Sequence, residues 1–245
     1  MNILFKQRSM QMVVTGSFEG FRHTAAAAAE LLTSLASIEP DVMPTAFQEI
    51  GFRGVAPVPV ARLGFLSQSR GWQLNIASNQ LHLQYSPVGD KFDDDVTPHL
   101  VKILERVLKY IGSKAARLAL TRRYVMMPHE EAIANQAFTK LVRPPRLFAE
   151  PTPVEWTVQL ISRPLDFVDG IADEVVNVIA NVIKSYSAVS TGTGSLTILT
   201  LDVDINTVPE NADPRFAAED LRTFFTAFDR AARRVTVEVE GYIHE

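Results

Sequence analysis

The sequence predicts an α+β protein, with mainly antiparallel sheets and long amphipathic helices packed on one face, arranged as two related halves or one continuous domain. Three patterns carry this expectation. Residues 72–85 alternate apolar and polar side chains on both sides of a turn, the signature of a hairpin with one buried face. Residues 97–111 place Leu100, Ile103, Leu104, Val107, Leu108 and Ile111 on one helical stripe. A second pair of apolar runs, over 175–204, is again followed by an amphipathic stretch from Pro214.

The elements follow in order. Residues 10–17 (MQMVVTGS) suit a strand, and 23–38 (HTAAAAAELLTSLASI) suit a helix by their alanine and leucine content, with Thr24 as N-cap and Pro40 and Pro44 beyond its end. Residues 45–52 form a short strand. Two prolines in 54–60 (GVAPVPV) make that stretch a loop or an edge segment. The hairpin at 72–85 turns at Ser78 and Asn79, and Pro98 fits the first turn of the helix that starts at Thr97. Residues 117–126 (RLALTRRYVM) alternate as a strand, and 130–141 suit a short helix. Arg143-Pro144-Pro145-Arg146 then breaks regularity, dividing an N-terminal half, 1–142, from a C-terminal half, 143–245. In the second half 154–161 (VEWTVQLI) is a strand. Residues 175–189 fit either a helical stripe or a strand; the β-branched content and the Thr191-Gly192-Thr193-Gly194 turn favour a strand paired with 195–204. A last helix is expected over 214–233, with Val235, Val237 and Val239 as a short edge strand.

Composition narrows the function. The chain has 245 residues, 47% hydrophobic and 21% charged, enough for a real core. A net charge of -4 speaks against general affinity for nucleic acid, which leaves a basic footprint. Without cysteine there is no disulfide, zinc–thiolate site or thiol catalysis. No apolar run reaches the ~18 residues of a membrane span, and the first residues lack a secretory h-region. The expected location is cytoplasmic.

The order of motifs resembles a sporadically distributed bacterial family of proteins of about this length with no established activity. Its features correspond here to the Trp-led hairpin at 72–85, to residues 92–111, and to an Arg-x-x-Leu-Arg-Tyr-like strand at 117–125. A late strand, Leu201-Asp202-Val203-Asp204-Ile205, precedes a helix carrying Phe216, Leu221, Phe224, Phe225 and Phe228. The chain departs from the pattern where Thr121-Arg122 separates Leu120 from Arg123, and where Met126 replaces the usual asparagine. The resemblance implies fold and a bacterial or phage setting, not chemistry.

Asp202 and Asp204, two apart on a strand, share a face, and paired carboxylates suit a divalent cation or acid–base work. Glu210, Asp213 and Glu219 are the acids from which such a site would draw further ligands. The simpler expectation is that the two aspartates meet arginines of a neighbouring strand. Arg117, Arg122, Arg123, Arg143 and Arg146 form the densest basic region, suited to phosphate or carboxylate recognition. Asp93, Asp94 and Asp95 complement a helix dipole. The five histidines, His129-Glu130-Glu131 included, show no zincin spacing. Phe224 and Phe225 are adjacent, so one of them is a candidate to cover a partner surface. No cofactor is implied.

The expected function is a non-enzymatic protein-interaction or regulatory subunit of a bacterial or phage conflict or accessory system, working with another protein or with itself. The alternatives are a metal-dependent phosphate-handling enzyme using Asp202 and Asp204, and a nucleic-acid or nucleotide binder using 117–146.

Overall fold

Nine strands form one sheet in the order β2-β3-β4-β5-β1-β6-β9-β8-β7, every neighbouring pair antiparallel. The computed structural model describes residues 5–53, 56–89, 92, 93, 95–126, 131–142, 144–149, 152–164, 168, 171, 174–188 and 195–244. The strands are β1 (Phe5–Gly16), β2 (Met43–Arg53), β3 (Ala56–Ser67), β4 (Trp72–Ile76), β5 (Gln80–Tyr85), β6 (Ala115–Met126), β7 (Trp156–Ser162), β8 (Val176–Ala188) and β9 (Ser195–Thr207). The helices are α1 (Ala25–Ala36), α2 (Val96–Ile111), α3 (Glu131–Val142), the short α4 (Arg146–Ala149) and α5 (Asp220–His244).

The chain follows the same route twice. It leaves a central strand (β1, then β6), crosses through helix to an outer edge, and returns inward strand by strand. Each run closes with a long helix, α2 or α5, and these two helices pack against each other. The second run opens with β6, and the sheet is continuous across residue 143.

Local chemistry accounts for most boundaries. The Thr24 hydroxyl accepts from the Ala27 N–H and caps α1, satisfying one of the donors a helix leaves unpaired at its start. Gly112 ends α2 at φ 74°, where a side chain would be strained. Trp72 pairs with Tyr85 at the open end of the β4–β5 hairpin. The Asp95 side chain makes no capping bond to α2, and Asp94 lies outside the described residues.

Burial alternates along the central strands. Met10, Met12 and Val14 of β1, Leu118 and Leu120 of β6, and Leu201, Val203 and Ile205 of β9 are buried, and their neighbours are less so. One pleat face therefore supplies the core. Leu100, Leu104 and Val107 of α2 join that core fully buried, each contributing about 1.5–3 kcal/mol over an exposed position.

One sequence expectation is sharpened and one needs correction. Of the loop and edge alternatives for 54–60, the edge holds for Pro57 and Pro59: they lie in β3, where residues 56–63 pair with β2 alone because β4 meets β3 only over 64–67. The Leu63 N–H donates to His23 Nδ1 on the side away from β2. Pro57 and Pro59 share its parity, so they lack a donor only where no strand neighbours them. The correction is at the C-terminus. The last helix begins at Asp220, not Pro214, and runs on to His244, so Val235, Val237 and Val239 form no strand. Their alternation mimics β structure, but Val235, Val239 and Ile243 also continue the buried stripe of Phe228 and Ala231. Burial of that stripe outweighs the small helix cost of valine. Phe216 lies before the helix, bridged to Ala115.

Candidate functional site

The pleat of β6 separates the arginines that the sequence groups together. Arg123 faces away from the core, and its Nε and Nη2 donate to the two oxygens of Asp202 on β9, both at 2.8 Å. The fork is bidentate, but Arg123 is more than half exposed, so the pair contributes no more than about 1 kcal/mol. Arg117, on the same face, donates from Nε to the Thr207 carbonyl at 3.4 Å.

Asp204 lies opposite Thr121 of β6 and Ile179 of β8. Burial pushes its carboxyl above the usual range, against the opposing pull of the Asn206 side chain and the Arg117 charge. Its Oδ1 is buried without a hydrogen-bond partner. Among the described residues no three His, Asp or Glu side chains are grouped so as to hold a metal ion, and Asp202 is engaged by Arg123. Asp202 and Asp204 thus form part of a polar sheet face with an ion pair at one end.

Arg122 points the other way and is fully buried. It donates to Asp229 of α5, to Gln7 of β1, and to the Thr97 hydroxyl of α2 at 3.3 Å, with the Phe92 ring centre 5.8 Å away. One guanidinium therefore ties the sheet to both long helices from inside, where no external phosphate reaches it. Arg146 is exposed in α4, and Arg143 lies outside the described residues, as do His129 and the Thr191–Gly194 turn. Phe225 is fully buried, and half-buried Phe224 packs edge-on against Phe216 at 4.8 Å. Both phenylalanines serve the core.

The unsatisfied surface lies at the far edge of the second half. Among the described residues β7 is the last strand of the sheet and pairs only with β8. Its inner end is anchored by Trp156, buried against Phe138 of α3 with ring centres 5.4 Å apart. Among the described residues no element covers its outer end: Leu160 is 49% and Ile161 60% exposed. Beside them is an apolar groove of about 590 Å³, floored by Val178 and Ala180 of β8 and walled by Val235, Val239 and Tyr242 of α5. Glu238, the charged residue on its rim, is paired with Arg234 at 3.1 Å. The sequence carries a trace of this site. Strict alternation fails at Leu160-Ile161, where two adjacent apolar residues put one on each face of the strand. The groove itself needs the end of α5, which lies beyond the helix expected over 214–233.

No family model matches the chain, and no curated protein matches it. Among solved structures it is similar to the Pseudomonas aeruginosa T6SS protein PA0821 at 10% identity, over 98% of this chain and 87% of that one, with a TM-score of 0.27. A likeness that low carries no argument about fold or role. No helix among the described residues is long and apolar enough to cross a membrane.

Proposed function

We propose that this protein is a non-enzymatic interaction or regulatory subunit, and that it receives an extended segment of a partner protein along β7. The helices then form one layer over the core face of the sheet, ending short of its outer edge. The observation that carries this reading is the uncovered end of β7. An edge strand presents a row of unpaired N–H and C=O groups, and soluble proteins normally blunt such edges with charge, proline or a covering element. Residues 156–162 (WTVQLIS) contain neither charge nor proline. A strand added there gains main-chain hydrogen bonds, while its alternate side chains reach the groove and supply selectivity. The bacterial or phage setting is carried by the sequence resemblance alone.

Selection of linear peptides from a display library against the folded protein tests the proposal. Apolar, extended binders are expected, with affinity falling at least about tenfold in a Leu160→Lys/Ile161→Lys variant, since a buried charge opposes docking. Failure to select any binder, or binders indifferent to that variant, would overturn it.

A further inference from the structure

We propose that a second surface, the groove where the end of α1 meets α2 and the start of α5, docks an acidic segment of a partner protein. The groove measures about 670 Å³ and is lined by Lys102, Arg106 and Lys109 of α2 and Arg222 of α5, with Glu105 and Glu219 the acids among its lining residues. Four cations against two carboxylates make it positive in a protein whose net charge is -4. One of the acids is already engaged, because Glu105 accepts from Arg222 at 3.1 Å.

The other cations have no such partner. Arg106 donates to the neutral Ser34 hydroxyl at 3.2 Å, and Lys102 and Lys109 make no ion pair among the described residues. At spacings of four and three residues these three side chains stand on one face of α2. They form a row about 10 Å long, from a rise of about 1.5 Å per residue. A row suits successive carboxylates of a peptide better than a single phosphate, around which donors would converge. The start of α5 adds no anion cradle: the Ala217 N–H is already taken by the Asp220 carboxylate at 2.8 Å, and Glu219 stands beside it.

Charge complementarity of this kind speeds encounter and fixes orientation more than it adds affinity. The inference rests on the reading of the protein as an interaction subunit but uses different residues. Arg222 and Glu238 lie sixteen residues apart on α5, about 24 Å at helical rise, so the two surfaces can be tested separately.

The test is fluorescence anisotropy with a labelled oligoglutamate peptide, at low and at raised ionic strength. The expected result is saturable binding that salt weakens and that falls at least about tenfold in Lys102→Gln/Arg106→Gln/Lys109→Gln. Binding should be unchanged in the off-site control Arg146→Gln. Glutamine is a good helix former, and an unaltered circular dichroism spectrum confirms that the fold survives. The single variants Lys102→Gln and Lys109→Gln are each expected to weaken binding by a smaller factor. Equal binding by the triple variant, an equal loss in Arg146→Gln, or binding of tripolyphosphate without binding of oligoglutamate would each overturn the proposal. Oligoglutamate binding that persists while β7 selects no peptide would overturn the β7 reading alone.

Discussion

At one edge of the sheet β2 carries Pro44 and Glu49, whereas at the other β7 carries neither proline nor charge over seven residues; each edge strand is backed by one helix, α1 or α3. Glu49 also clasps its surroundings. It accepts from Arg62 Nε of β3 at 2.5 Å and from the Ser78 hydroxyl of the β4–β5 turn at 2.6 Å. The free flank of β3 next to it is closed to pairing by Pro57 and Pro59. The two edges have the same architectural problem and opposite solutions. Proline and charge protect the first edge, and neither is present within residues 156–162, which is why the proposed partner strand is placed at β7.

The comparison is broken most forcefully at the anchors. Trp156→Ala removes the ring that holds β7 against α3 and should destabilise the protein by about 3–5 kcal/mol, read as a lower midpoint in urea. A change within about 0.5 kcal/mol would mean that β7 is a loose flap and not a prepared edge. At the other edge Glu49→Gln should cost about 1–2 kcal/mol, the scale of charged hydrogen bonds at a half-exposed site. Burial tends to raise the Glu49 carboxyl, but the Ser78 and Arg62 hydrogen bonds outweigh it and hold the group below its usual value. A carboxyl depressed in the fold adds stability above its unfolded pKa and loses it as pH falls through the folded one. The difference between wild type and Glu49→Gln should therefore shrink below about pH 4.5, and denaturation curves across pH 7 to 3 measure it. The smallest effect is expected from Pro57→Ala/Pro59→Ala. Folding stability should shift by less than about 1 kcal/mol, but two new donors on the free flank of β3 should promote self-association in light scattering.

Much of the fold was legible because local pattern and tertiary burial agree. In the hairpin at 72–85 the apolar parity of Trp72, Leu74 and Ile76 is the buried parity. In α2 the predicted stripe is the core stripe. The 176–188 segment is a strand, as its β-branched content and the turn that follows it indicated. Where two periods coexist, pattern alone misleads: Val235, Val237 and Val239 fit period two, yet Val237 is exposed while its neighbours two residues away are buried on a helix. Arg122 shows the converse. It shares the buried parity of Leu118, Leu120 and Tyr124, yet its charge groups it with the candidate binding arginines, because its partner Asp229 is 107 residues away and nothing local announces it. The groove beside β7 was not legible for a related reason. It is made by the meeting of four elements, α3, β7, β8 and α5, and only the doubled apolar pair Leu160-Ile161 marks it in the sequence.

The most direct measurement is hydrogen exchange, residue by residue, on the protein with and without a saturating β7-selected peptide. Strand addition predicts that alternate amides of residues 156–162, those facing away from β8, gain strong protection, with smaller gains along the groove-lining turns of α5. Protection confined to other strands, or β7 amides facing away from β8 that are already slow to exchange without any ligand, would contradict the account.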